Sequence, residues 1–101
     1  LMPLLKACIL IEEARYIDKT SILKVTLKNV SSSDLIFENQ MPYTFYSSSP
    51  VFTVPAEGTK TLQIKTLEEV QSLTLSLKAL GAYIAPKEHP AVEWEIEIRV
   101  E

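Results

Sequence analysis

The chain has 101 residues with 47% hydrophobic residues, 23% charged residues and a net charge of −3. A chain of this length folds as one domain and buries enough apolar surface for its own core, so we expect a single domain over residues 1–101. The acidic balance argues against nucleic acid and anionic membrane surfaces as partners, because both bind clustered Lys and Arg. No apolar stretch reaches the ~18 residues of a membrane span.

The sparse cysteine, histidine and glycine content argues against several kinds of chemistry. The single cysteine, Cys8, cannot form an internal disulfide, and the single histidine, His89, is too few for a blue-copper site. Cys8 lies in an apolar strand pattern that disfavours a thiolate, and we interpret it as a partly buried strand residue and not a lipidation site. The serines at 47–49 lack the surroundings of a nucleophile elbow. We therefore predict no enzyme, no cofactor and no metal site.

Period-two alternation runs through almost the whole chain and predicts β-strands. In chain order, strands are predicted over 5–17, 22–30, 35–39, 43–47, 51–54, 61–65, 72–80 and 91–101. Polar turns separate them at 18–21, 31–34 and 55–59, and the loop 81–90 contains two prolines. The only helical candidate, 66–73, is interpreted as a turn or a single helical turn between two strands.

Seven to eight short strands spaced about ten residues apart predict an all-β fold, an immunoglobulin-like antiparallel β-sandwich. We expect the first, second and fifth main strands in one sheet and the last two in the other. The predicted core residues are every second residue of the strands: Leu23, Val25, Leu27, Phe45, Phe52, Leu62, Ile64, Leu73, Leu75, Leu77, Ala79, Val92, Trp94, Ile96, Ile98 and Val100.

The outward positions sort by charge. The first sheet presents Lys24, Lys28 and Lys65, and the last strand presents Glu93, Glu95 and Glu97. Two interpretations remain open: solvated strand faces that keep the sheet soluble, or a weak interaction surface that docks a neighbouring domain.

The segment 41–55 holds four of the eight aromatic residues. Tyr43 and Tyr46 there, and Tyr83 further on, are candidate ligand-binding residues, because exposed tyrosines can stack on sugar rings. Pro42, Pro50 and Pro55 are typical of strand limits on a sheet edge.

Two turns carry specific predictions. Asn29 begins the N-glycosylation pattern Asn-Val-Ser, but we interpret its side chain as bonding the turn that follows. In the turn 55–59, Gly58 is expected to supply a positive φ.

Two stretches resemble a known class of domain. The sequence ILKVTLKNVSSSDLIFEN (22–39) and the sequence VFTVPAEGTKTLQIKT (51–66) resemble bacterial immunoglobulin-like and fibronectin-III-like accessory domains. The resemblance implies a module appended to a secreted or cell-envelope protein, in the periplasm or at the cell surface, and it brings no catalytic residue. The start at Leu1 indicates a processed protein or a domain excised from a longer one.

These features predict a non-catalytic accessory or interaction module, whose partner is a neighbouring domain of the same polypeptide or another protein. One alternative is a carbohydrate-binding module that uses the three tyrosines. A further alternative is a protease inhibitor that inserts the loop 81–90.

Overall fold

The structure is a computed structural model that describes residues 8–40, 49–80 and 91–101, with the backbone alone for 91–96. This part of the chain forms two antiparallel sheets, which confirms the predicted immunoglobulin-like sandwich with seven strands. The strands are β1 (Ile9–Tyr16), β2 (Ile22–Asn29), β3 (Leu35–Asn39), β4 (Val51–Val54), β5 (Thr59–Lys65), β6 (Ser72–Leu80) and β7 (Ala91–Arg99).

The assignment of strands to the two sheets agrees with the sequence prediction, which placed the first, second and fifth strands together and the last two in the other sheet. The first sheet has the order β1-β2-β5, and the second has the order β4-β3-β6-β7. Strand β4 is the edge of the second sheet and lies directly between Pro50 and Pro55. Because proline cannot donate to a strand ladder, the two prolines limit β4 to four residues, as predicted.

The inner faces of both sheets form one core. In β2 and β5 the predicted inward residues Leu23, Val25, Leu27, Leu62 and Ile64 are fully buried. In the second sheet, Phe37 and Phe52 are directly opposite each other on β3 and β4, and their tilted rings lie with centroids 5.7 Å apart, within the range of interacting aromatic pairs. Four predicted core residues of the second sheet are also buried: Leu75, Leu77, Ala79 and Ile98. Two further predicted residues, Leu73 and Val100, are partly buried and pack against this core.

A bulge at Glu12 keeps β1 in register with the core. Ile11 is opposite Leu27 in β2 and Glu13 is opposite the preceding Thr26, so Glu12 is an extra residue. Ile9 and Ala14 are both buried, although residues an odd number of positions apart lie on opposite faces of a regular strand. The bulge is the reason, because one extra residue reverses the parity of the inward face.

The two edge strands β1 and β7 meet at their carboxyl ends. The backbone N–H of Glu101 donates to the carbonyl of Ala14 at 2.8 Å, and Val100 N–H donates to Gln71 O at 2.9 Å. The Glu101 bond connects the two sheets beyond the last residue of β7, and the Val100 bond extends the pairing of β7 with β6. They also satisfy backbone groups of an edge strand that would otherwise be open to another chain.

The predicted positive φ of Gly58 is wrong. The residue with the left-handed conformation is Glu57, with φ 56°. Gly58 is required for space instead, because a Cβ atom there would lie 2.8 Å from Cγ of Pro55. A second left-handed residue, Lys19 with φ 62°, closes the β1–β2 turn.

The segment 66–71 is a non-helical turn that connects β5 to β6, in agreement with the prediction of a bridging turn. The predicted strand 43–47, with Phe45, and the loop 81–90 lie outside the described residues.

Candidate interaction surface

The antiparallel strands place the turns at two ends of the sandwich. The lower end contains the β1–β2 turn, the β5–β6 loop at 66–71 and the end of β7. In the first sheet, the last residue of β1, Tyr16, and the last residue of β5, Lys65, lie beside the start of β2 at Ile22. The upper end contains the β2–β3 turn at 30–34 and the β4–β5 turn at 55–58.

The upper end is held together by the side chain of Asn29. This residue is fully buried at the end of β2. Its Nδ2 donates to the carbonyls of Ser33 at 2.8 Å and Val54 at 3.0 Å, and its Oδ1 accepts from Ser31 N at 2.8 Å and Ser31 Oγ at 2.7 Å. The predicted bond from Asn29 to the turn is confirmed, and the amide nitrogen that glycosylation requires is inaccessible in the folded chain.

The lower end is held together by Tyr16. Its hydroxyl lies 3.0 Å from Oγ1 of Thr66 and accepts a hydrogen bond from Val70 N–H at 2.9 Å. Thr66 is itself buried, and its hydroxyl donates to Glu68 O at 2.7 Å. The β5–β6 loop is therefore attached to β1 on both sides of residues 67–69.

Between these attachments the loop presents an apolar tip. The side chain of Leu67 is 99% exposed, and the next two residues, Glu68 and Glu69, are exposed carboxylates. Ile17, which is 36% exposed, lies in the neighbouring β1–β2 turn. We name Leu67, Glu68 and Glu69 the acidic knob. An exposed leucine on a loop that is fixed at both ends is suited to contact a protein partner.

A groove beside the acidic knob is lined by charges of both signs. Its lining includes five charged residues, Arg15, Glu69, Glu97, Arg99 and Glu101, together with Tyr16 and Val70. Ligand pockets for small molecules are mostly apolar, with a few convergent polar groups. The wall composition therefore favours contact with a charged protein surface over a small apolar ligand.

The predicted acidic row of β7 is described in part. Glu97 is exposed, and its Oε1 lies 3.9 Å from Nε of Arg99 on the same strand. Glu93 and Glu95 occupy register positions opposite Lys78 and Ser76 of β6, and their side chains lie outside the described residues. An exposed ion pair at this distance contributes little to stability.

The outer face of the first sheet carries the lysines that were predicted there. Lys24 and Lys28 are half-buried, and Lys65 is exposed. In register, Lys24 lies opposite Arg15 and Gln63, and Lys28 lies opposite Leu10 and Thr59. The carboxylate on this part of the face is Glu13, which lies opposite Thr26 between the two lysines and is ion-paired with Arg15 at 2.6 Å. Lys24 and Lys28 therefore give this part of the face a net positive charge.

The other sequence-predicted positions fall mostly outside the described residues. Tyr43, Tyr46, Tyr83 and His89 are among these, so the sugar-binding and inhibitor hypotheses stay predictions. Cys8 is half-buried directly before β1.

Among the described residues, no group of three or more His, Cys, Asp or Glu side chains is arranged to bind a metal ion. Within the same residues, no helix has the length and apolarity to cross a membrane.

Sequence reasoning missed two apolar features of the surface. The signal for the acidic knob was a lone leucine followed by two glutamates in a segment without strand alternation. Leu10 is 51% exposed, because the bulge at Glu12 places it outward while Ile9 and Ile11 face the core.

The comparisons with known proteins agree with this architecture. The sequence matches a family described as an Ig-like domain over residues 9–95. Among curated proteins, none matches the chain. The matched range begins at the first residue of β1 and ends within β7. The chain therefore belongs to this family of Ig-like domains.

Proposed function

We propose that the chain is a non-catalytic accessory module that contributes an interaction surface to a larger protein. Ig-like sandwiches typically serve as spacers and binding modules, since their chemistry lies in surface loops and not in a cleft. The observation that carries the proposal is the acidic knob, in which the fully exposed Leu67 is held on a loop that Tyr16 fixes.

The rigidity of the loop supports a binding role. An interface residue that is already ordered loses little conformational entropy when a partner binds. Thr66 is 4% exposed and Val70 is tied to Tyr16, whereas Leu67 contributes nothing to the core. The side chain of Leu67 can therefore be buried against a partner without disturbing the core.

The location outside the cytoplasm is part of the same proposal. The hairpin 22–39 and the step 51–66 resemble accessory domains of secreted and cell-envelope bacterial proteins. The Ig-like family match supports such a module in general terms. The parent protein would use the sandwich to position a neighbouring domain or to contact another protein.

The test is deletion of the domain from its parent protein. We expect the shortened parent to have lower thermal stability or weaker association with its partner, at unchanged turnover of any catalytic domain. Leu67→Ser in the full-length protein is the matched point variant, because the side chain is exposed and its loss leaves the core intact. Lower turnover at unchanged stability and association would refute the proposal.

A further inference from the structure

We propose that the acidic knob of one copy docks on the outer face of the first sheet of a second copy. The receiving surface, which we name the basic face, consists of Leu10, Lys24, Lys28 and Val30. This inference rests on the proposed interaction function and names its partner as another chain of the same sequence.

The basic face combines exposed apolar area with positive charge. Leu10 is 51% exposed and Val30 is 47% exposed. Leu10 lies opposite Lys28 in the ladder, and Val30 N–H donates to Cys8 O at 2.8 Å two pairs further along. Leu10 and Val30 are therefore diagonal neighbours on one face of a strand pair, close enough for one side chain to contact both.

The acidic knob has the complementary chemistry. Its leucine is the most exposed large hydrophobic residue of the described chain, at 99%. Two exposed carboxylates follow it directly. If Leu67 packs between Leu10 and Val30 of a second copy, Glu68 and Glu69 lie within reach of lysine side chains. Lysine stems can cover apolar surface while their ammonium groups reach a carboxylate.

Other pairings of the same two surfaces are unfavourable. Two acidic knobs would bring four carboxylates together, and two basic faces would bring four lysines together. Like charges across an interface suppress the wrong pairing. The favourable contact therefore joins different surfaces of the two copies, and it either repeats head to tail or forms twice in an antiparallel two-fold pair.

The positions of the two surfaces prevent the contact within one chain. The knob lies at the lower end, in the β5–β6 loop, whereas the apolar pair lies toward the upper end of β1 and β2. A contact built on one leucine is smaller than a standard interface, so free copies associate weakly. Copies that are linked in one polypeptide or held on one surface would associate more strongly through their raised effective concentration.

The test is sedimentation velocity of the chain over a concentration series at low ionic strength. For the natural chain we expect a sedimentation coefficient that rises with concentration, and a smaller rise at ~0.3 M salt because salt screens exposed charges. Leu67→Ser is expected to weaken association by about tenfold, the scale set by burial of one leucine side chain. Val51→Ser is the matched control, since Val51 is 42% exposed on the other sheet, and it leaves association unchanged.

Charge exchange gives the decisive comparison. We expect Glu68→Lys with Glu69→Lys, and separately Lys24→Glu with Lys28→Glu, each to abolish self-association. An equimolar mixture of the two double variants should associate again, because the reversed knob meets the reversed face. Circular dichroism of each variant confirms that it is folded.

A natural chain that sediments as a monomer at every concentration overturns the inference. Association that persists in Leu67→Ser, or a mixture of the reversed variants that stays monomeric, overturns it as well. None of these results bears on the deletion test of the proposed function, in which the module can bind a different partner.

Discussion

Replacing Asn29 by alanine tests the part of the fold that depends most on a single polar side chain. Asn29 is fully buried, and its side chain donates to Ser33 O and Val54 O and accepts from Ser31 N and Ser31 Oγ. These bonds connect the end of β2 to the following turn and to β4. Alanine removes all of them and supplies no replacement.

The magnitude follows from the partners that remain. A typical hydrogen bond contributes about 1 kcal/mol net, and a buried group that is left unsatisfied costs about 1–3 kcal/mol. Without Asn29, the single hydroxyl hydrogen of Ser31 turns to Ser33 O, which lies 3.0 Å from Ser31 Oγ. Val54 O and Ser31 N lose the bonds that Asn29 made. We therefore expect Asn29→Ala to lower the free energy of unfolding by about 3 kcal/mol, a large part of the roughly 5–15 kcal/mol of a typical domain.

Asn29→Asp separates hydrogen bonding from packing, because the two side chains have the same shape. A carboxylate keeps the acceptor for Ser31 but turns a second oxygen toward the carbonyls of Ser33 and Val54. It also places a charge where no cationic partner is bonded to it. Burial of an unpaired charge is costly, so we expect Asn29→Asp to be at least as destabilising as Asn29→Ala at neutral pH.

The assay is equilibrium urea unfolding followed by far-UV circular dichroism. Gln40→Ala is the matched control: Gln40 is an exposed amide whose side chain bonds Glu38 at 3.3 Å, and its loss is expected to change stability by less than about 0.5 kcal/mol. The slope of the unfolding free energy should be the same for all variants. A loss below about 1 kcal/mol for Asn29→Ala, or natural stability for Asn29→Asp, would refute the reasoning.

Further substitutions test the turns, the loop and the core. Glu57→Asn should raise the free energy of unfolding by about 0.5 kcal/mol, because asparagine tolerates positive φ; an unchanged or lower melting temperature contradicts this. Gly58→Ala should lower it by about 1–3 kcal/mol through overpacking, and an unchanged urea midpoint would argue against the clash. Tyr16→Phe should cost about 1–2 kcal/mol and speed hydrogen exchange of the Val70 amide; unchanged exchange would show that the hydroxyl does not hold the loop. Phe37→Ala should cost about 3–5 kcal/mol in urea unfolding, and a cost below about 1 kcal/mol would remove this ring from the centre of the core.

The sequence predicts only one of the two surfaces, the lysines of the basic face, and not the acidic knob. Lys24 and Lys28 follow directly from alternation in β2, because a central strand with one buried face exposes every second residue. The acidic knob does not follow from any period. Leu67 is exposed because Tyr16 and Thr66, from two different strands or their ends, hold the loop in one conformation.

By itself, the sequence determined most of the strands and the inward residues of β2, β5 and β6, because period-two alternation and polar turns are local signals. The grouping of the first, second and fifth strands in one sheet came from the immunoglobulin-like order and not from a local pattern. The tertiary structure alone decided the extra residue at Glu12, the left-handed Glu57 and the exposure of Leu10 and Leu67. Each of these depends on which residue lies opposite in another strand or turn, as when Pro55 leaves no room for a Cβ at Gly58. Such contacts join residues that are close in space, and a repeating pattern along the chain does not record them.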